Sequence, residues 1–305
     1  MNESSTASAP IALFVHRRPS HTQQTLQALA RNEGAHLSPL YVFADGARSS
    51  EEAAAVAETR EVVRHAEGFA SVHVTERSVN MGLAQSLIEG IDDVLRRHGR
   101  VIVIEDDIVT APYFLRFVNA CLEHYAEQPK VMHISGYNLP IRAQGLPEVA
   151  LTRWAGSWGW ATWSRAWKRP DRDARAIMAR FTREQRAQFD LDCQGTDFWY
   201  QLEANRDGLM RTWAVFWYAH VFLSGGLCAI PRTSLVRNIG HDGSGVHSKA
   251  THRYDSALQQ EPVLDVSTEL FENPLMLARI QAYYRAHGPS RWRMLARKAN
   301  RWLHR

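Results

Sequence analysis

Cysteine is scarce in this chain of 305 residues: there are three, Cys121, Cys193 and Cys228, far apart and with no CxxC pair. That pattern excludes a disulfide framework and a thiolate zinc site, and fits a reducing compartment. No run of about 18 apolar residues occurs, so no membrane-spanning helix is expected. The opening MNESSTASAP lacks a basic stretch followed by an apolar one and does not read as a signal peptide. The expectation is a soluble or peripheral protein of the cytoplasm, able to sit at the inner face of the membrane. Neither GxGxxG after the first strand nor GxxxxGK[ST] appears, which removes the main support for dinucleotide-binding and P-loop readings. Lysine is nearly absent, with 4 against 32 arginines, a habit of GC-rich bacterial genomes rather than a functional signal.

What remains is globular in composition, 45% hydrophobic and 22% charged. The net charge of +4 demands no nucleic-acid partner, but it is unevenly placed. From Asn273 to Arg305 there are eight basic residues and no acidic one, so the first 272 residues carry 28 basic against 32 acidic side chains. In the tail, Trp292, Leu295, Ala299, Trp302 and Leu303 share one helical face among arginines. That pattern suits an anionic membrane surface, or equally a helix packed on the body.

The first half alternates short apolar runs with helical patterns. Ile11 to Val15, Leu40 to Ala44, Ala70 to Val74 and Val101 to Ile104 read as strands covered on both faces. Leu83, Leu87, Ile91, Val94 and Leu95 form the apolar face of a helix from about Gly82 to His98. The alternation predicts an α/β fold with a mostly parallel sheet and helices on both faces. Ligands in such sheets bind beyond the carboxyl ends of the strands. The residues there are His16-Arg17-Arg18, Asp45-Gly46 and Glu105-Asp106-Asp107, all polar, which suggests one shared cleft. The second half is aromatic-rich, with Trp154, Trp158, Trp160, Trp163 and Trp167 within fourteen residues and a boundary near Ser135 to Gly145. No internal repeat is visible.

Three consecutive carboxylates at a strand end are costly without a cation, and oxygen-only ligands select Mg²⁺ or Mn²⁺, ions that also hold phosphates. Alternation along an extended segment allows one direct ligand, with the others touching sugar hydroxyls or supporting it. A solvated acidic turn capping a helix near Ala111 is the simpler alternative. Asn80-Met81-Gly82 opens the third helix, where Asn80 can act as an N-cap or the free N–H groups can meet an anion. Asp197, beside Phe198, Trp199 and Tyr200, suits either a desolvated general base or an N-cap. Trp158 and Trp160, interleaved with glycine and serine, suit a sugar platform or the core. Asn238 to His247 reads as a glycine-rich loop able to close over a ligand, with His241, Asp242 and His247 as its polar members or as a small metal site.

Taken together, these residues resemble the metal-dependent glycosyltransferases of the GT-A fold, in particular the N-acetylglucosaminyltransferase I type and bacterial family 2-like relatives. The resemblance runs from about Pro10 to His247. Its most specific block is Val103 to Phe114, an apolar strand, an acidic triplet, then small residue, proline and aromatic, similar to the DxD-type motif; Val131 to Asn138 and Gly159-Trp160 follow in similar order. The likeness implies that Asp107 coordinates Mn²⁺ or Mg²⁺, that Glu105 and Asp106 contact ribose or donor sugar, and that Arg18, Asp45, Asn80 and Gly82 hold the nucleoside. It implies Asp197 as catalytic base, Trp158 and Trp160 on the acceptor side, and His241, Asp242 and His247 in a lid. Residues 8–138 would bind a UDP- or GDP-linked sugar, 139–272 would bind a saccharide or lipid-linked acceptor and carry the base, and 273–305 would be the basic tail. The implied reaction is inverting direct displacement in bacterial surface-polysaccharide synthesis. Departures are a missing membrane anchor, a single acid around Asp197 where some relatives have two, and an unplaceable stretch from Lys168 to Cys193. A sugar-nucleotide pyrophosphorylase would need a glycine-rich basic loop where His16-Arg17-Arg18-Pro19 stands, and a non-catalytic carbohydrate-binding protein leaves the triplet unexplained.

Overall fold

The computed structural model describes residues 8–168, 172–192, 195–243, 251–263 and 265–288. His247 and the tail from residue 289 onward, with its expected membrane contact, lie outside them. The first half alternates as the apolar runs require: β1 (Ile11–Val15), α1 (Pro19–Ala30), β2 (Pro39–Ala44), α2 (Ala53–Arg64), β3 (Ser71–Glu76), α3 (Leu83–His98) and β4 (Arg100–Glu105). There follow β5 (Ile108–Thr110), α4 (Phe114–His124), β6 (Val131–Ser135), β7 (Val149–Thr152) and β8 (Trp160–Trp163). The helical stretch α5 (Ala174–Ala179), α6 (Arg183–Phe189), α7 (Phe198–Arg206) and α8 (Ala214–Leu223) leads to β9 (Leu227–Pro231), β10 (Val236–Asn238) and α9 (Pro274–His287).

Among the described residues the main sheet has eight strands in the order β3-β2-β1-β4-β8-β6-β9-β7, and a small antiparallel pair joins β5 to β10. The β3, β2, β1 and β4 pairings are parallel, as is β6 with β9; β8 runs antiparallel to both its neighbours, and β7 to β9. The fold is therefore mixed α/β with a mostly parallel central sheet. All five residues of β1 are buried, because alternate side chains serve the two faces. Ile11, Leu13 and Val15 pack with α1 and α4, while Ala12 and Phe14 pack with α3, Trp160 and Trp217 of α8. Each such fully buried aliphatic side chain contributes about 1.5–3 kcal/mol. Helices thus cover both faces.

Three local outcomes differ from the sequence pattern. The helix expected near Ala111 starts at Phe114, because Ile108 to Thr110 are taken up in pairing with β10. Leu83 is 43% exposed rather than part of the apolar face of α3, since the first turn of that helix opens on the cavity described below. Within the expected tail, α9 is capped by Asn273 and buries Met276, Ile280, Tyr283 and Tyr284 in the main core. The stretch after Lys168 supplies α5 to α7, which build a third aromatic cluster around Phe189, Trp199 and Phe216.

Candidate active site

β1, β2 and β4 are parallel neighbours, so their carboxyl ends emerge side by side; Val15 lies opposite Ala44 and Phe14 opposite Glu105. Topology alone thus brings His16 to Arg18, Asp45 and Glu105 to Asp107 to one place. They line a cavity of about 880 Å³, which also reaches Asn80 to Ser86, Trp158, Arg172, Arg211 to Ala214, Asn238 and His241.

The acidic triplet forms its floor. Arg18 Nη1 lies 2.9 Å from Asp107 Oδ2 and 4.0 Å from Asp106 Oδ1. Asp107 Oδ1 also accepts from Asn238 Nδ2 at 3.4 Å. The turn is anchored through its backbone: Thr25 Oγ1 donates to the Asp106 carbonyl, and the Ile239 N–H donates to that of Asp107. Gly240 passes so close that a Cβ there would collide with Asp107 Oδ2 and Arg18 Nη1. Burial, and then repulsion from the neighbouring carboxylates, pushes the pKa of Glu105 up to about 8 and that of Asp106 up to about 7. Asp107 is also raised by burial, against the pull of Arg18. One guanidinium cannot neutralise three carboxylates, so the floor takes up protons unless another cation is supplied.

His241 stands beside this floor. Its ring lies 5.2 Å from Trp158 and 5.5 Å from Tyr254, and both ring nitrogens are buried with no hydrogen-bond partner. Burial lowers its pKa, with Asp107 pulling the other way. Among the described residues, however, no three His, Cys, Asp or Glu side chains are grouped so as to hold a metal ion by themselves.

Asp45, expected to hold the nucleoside, lines the cavity while its carboxylate also binds the chain itself. It is 5% exposed, and its two oxygens accept from the N–H groups of Gly46, Met81 and Gly82 and from Asn80 Nδ2, at 2.9–3.1 Å. Its carboxylate is spent on folding the turn before α3. Asn80 is not the cap of that helix; its amide donates to the Gly46 carbonyl and to Asp45. The first turn of α3 is therefore left open, as are those of α1 and α8. None of the three receives a side-chain cap or has an acid in its first turn, and Arg18, Gly82 and Trp213, at their N-caps, all line the cavity. Free N–H groups and the positive ends of helix dipoles converge there.

The aromatic and lid residues separate. Trp158 lines the cavity and packs edge-on against Tyr137 and Tyr254. Trp160 is wholly buried, between His133 at 5.0 Å and Trp213 at 5.7 Å, so it offers no face to a sugar; its place on β8 in mid-sheet puts it in the core. Asp242 pairs with His21 at 3.1 Å and is not among the residues that line the cavity. Asp197 precedes α7 but does not cap it through its side chain; Gln201 Nε2 donates to it, and the Trp199 N–H is taken by Asp190. Asp197 does not line the cavity; burial raises the pKa of Tyr254, whose ring touches Trp158 and His241, with Asp197 adding a smaller push in the same direction. Sequence reasoning missed Arg172, Arg211 and the pairing of Arg18 with Asp107, and placed Asn238 only as the start of the glycine-rich loop. Isolated arginines among 32 carry no local signal.

No family model matches the sequence, and neither does any curated protein. Solved structures similar to the chain include a mannosyltransferase, PcManGT, from Pyrobaculum calidifontis in complex with GDP-Man and Mn²⁺, at 13% identity and a TM-score of 0.33, covering 56% of this chain and 47% of that one. Another is S. aureus TarS, at 10% identity and a TM-score of 0.37, covering 74% of this chain and 36% of that one. The chain spans less than half the length of either. Among the described residues, no helix is long and apolar enough to cross a membrane.

Proposed function

We propose that this chain is a glycosyltransferase that takes a sugar from a nucleoside-diphosphate donor and places it on a hydroxyl of a saccharide or lipid-linked acceptor. The observation that carries this reading is the floor of the cavity. Three carboxylates, held at a strand end with one guanidinium, face a space ringed by open helix N-termini. Such a floor repels an anion unless a cation intervenes, while the helix ends attract one. A cation together with a diphosphate satisfies both.

The side chains fit a hard divalent cation. Asp107 offers the nearest oxygens, Asp106 stands next to it, and the unpartnered ring of His241 lies alongside. Asp107 and Asp106 would hold such a cation and leave most of its coordination positions to the diphosphate and water. When bound, Mg²⁺ or Mn²⁺ supplies electrostatic stabilisation of the leaving diphosphate. The chain's own residues do the rest. Arg18 holds Asp107 in place and adds positive charge. Asp45 fixes the Asn80–Gly82 turn, so that the first N–H groups of α3 face the nucleotide. Glu105 and Asp106 accept from hydroxyls of the ribose or donor sugar. Trp158 offers an aromatic face to the acceptor.

Asp197 is the proposed base, drawing the proton from the acceptor hydroxyl as it attacks with inversion. Its role requires the layer of Trp158 and Tyr254 to admit the acceptor. Asp197→Asn is expected to lower transfer at least about 100-fold while leaving nucleotide binding within a factor of two, read by product formation and calorimetry. Equal loss of both would make it structural.

The deciding experiment incubates the protein with a panel of UDP- and GDP-sugars, with and without Mn²⁺. Metal-dependent release of nucleoside diphosphate is expected. With pyrophosphate added, formation of UTP or GTP and a sugar 1-phosphate would point to nucleotidyl transfer instead, and no turnover in any arm would sink the reading.

A further inference from the structure

We propose that the acceptor is anionic, and that Arg172 and Arg211 grip a phosphate or carboxylate on it. The inference rests on the transferase reading and names its second substrate by chemistry. The cavity has two walls of opposite electrostatic character. The strand-end wall carries Asp45, Glu105, Asp106 and Asp107; of its arginines, Arg18 pairs with Asp107 at 2.9 Å and Arg17 with Glu52 at 3.3 Å, while Arg48 is exposed beside them. Among the described residues beyond 139, those that line the cavity include no acidic side chain, yet they include Arg172 and Arg211. Both are exposed, and neither forms an ion pair with a described residue.

The backbone around Arg211 is fixed, which distinguishes it from a stray surface arginine. The Leu209 and Met210 N–H groups both donate to the Ala204 carbonyl. Asn205 clamps Thr212 from both sides: its Oδ1 accepts from the Thr212 N–H at 3.0 Å and its Nδ2 donates to Thr212 Oγ1 at 2.8 Å. Trp213 then stacks on Trp160. Arg211 thus projects from a turn locked at either end, next to the open N-terminus of α8. Arg172 directly precedes Asp173, which caps α5 by accepting from the Arg175 and Ala176 N–H groups. Two guanidiniums of like charge on one apolar, aromatic wall gain most from a group that can accept both forks, and phosphate and carboxylate are the groups that do so. The donor diphosphate already has its complement at the floor, where Arg18 is the arginine within 4.0 Å of Asp106 and Asp107. The second cationic pair therefore calls for a second anion.

The test compares acceptors that share one terminal sugar: a neutral oligosaccharide, the same with a phosphodiester, the same with a uronic acid, and the same on a polyprenyl diphosphate. Wild type is expected to favour at least one anionic form over the neutral one by tenfold or more in kcat/KM, and the identity of that form tells the source of the charge. In Arg172→Gln/Arg211→Gln the ratio falls to within twofold of unity. No preference in wild type overturns the proposal, and so does an unchanged ratio with all acceptors slowed alike, which would assign the arginines to the donor. If no nucleotide sugar turns over, the transferase reading falls, and a second measurement decides the anion site by itself. Glycerol 3-phosphate is titrated calorimetrically into wild type and the double variant with EDTA present. Binding weakened at least tenfold in the variant supports the site, and equal or absent binding in both overturns it.

Discussion

At the end of β4 three carboxylates share one guanidinium, whereas two strands away on β6 a buried histidine has a partner for every polar atom. His133 is wholly buried; Trp217 Nε1–H donates to its Nδ1 at 2.9 Å, and its Nε2 meets the Gly156 carbonyl at 2.8 Å. Since indole only donates, Nδ1 is the acceptor and Nε2 carries the proton. Burial lowers its pKa to about 4 and so keeps the ring neutral, stacked against Trp160. The two clusters lie in the same sheet and differ in completeness. A satisfied buried network holds the fold together, while an over-supplied cluster of one charge costs stability and earns its place through a ligand.

The contrast is sharpest at Asp107. Asp107→Ala is expected to reduce donor turnover by about 100- to 1000-fold, the scale of losing a main electrostatic stabiliser of the leaving group. The circular dichroism spectrum should stay native, and turnover near the wild-type level would move the site elsewhere.

His133 should show the opposite behaviour, a stability effect with no chemical one. Its folded pKa, about 4, lies below its unfolded value near 6.5. The unfolded chain therefore binds more protons between those limits. The stabilisation is complete above pH 6.5 and is lost as pH falls toward 4, amounting to about 3 kcal/mol. Urea midpoints measured from pH 7.5 to 4.5 should fall more steeply in wild type than in His133→Gln. Parallel curves would show that the acid sensitivity arises elsewhere.

Asp45 joins the two characters, being buried and satisfied but placed in the cavity wall. Asp45→Ala unties three N–H groups and the Asn80 amide. A loss of about 1–3 kcal/mol of stability follows from buried donors left unpaired, together with weaker nucleotide binding in calorimetry. Nucleotide affinity reduced with unchanged stability would mean that Asp45 contacts the base directly.

The smallest effect is a gain. Glu105→Gln removes one of the repelling carboxylates and should raise thermal stability by about 0.5–2 kcal/mol in EDTA. The advantage should shrink when Mn²⁺ and a nucleotide are added, because they relieve the same repulsion in wild type. A lower melting temperature in EDTA would mean that the triplet is not frustrated.

Much of the strand-end half was legible because its signals are local. An apolar run followed by polar residues marks a strand and its exit, and parallel crossovers put such exits together whatever the loops do. The placement of His16 to Arg18, Asp45 and the triplet at one cavity needed nothing more. The aromatic half resisted for a physical reason. A tryptophan beside glycine has the same local pattern whether it stacks on a sugar or on another tryptophan, so Trp158 and Trp160 could not be told apart until β8 was seen in mid-sheet. Asn80 before a helix looked like a cap, and only the approach of Asp45 from another strand decided that the carboxylate takes the turn's N–H groups instead. α9 shows the same limit, since the basic run after Asn273 concealed Met276, Ile280, Tyr283 and Tyr284, whose burial depends on partners far along the chain.

The order of residues by itself determined which segments alternate as strand and helix, and hence that three polar exits meet, because periodicity and crossover geometry act over a few residues at a time. Only the tertiary structure decided how the charges pair: Arg18 with Asp107, Asp45 with the Asn80–Gly82 turn, and Arg172 and Arg211 with no described carboxylate. Pairing depends on distances between segments tens of residues apart, and electrostatic energy falls off with distance in space, not along the chain.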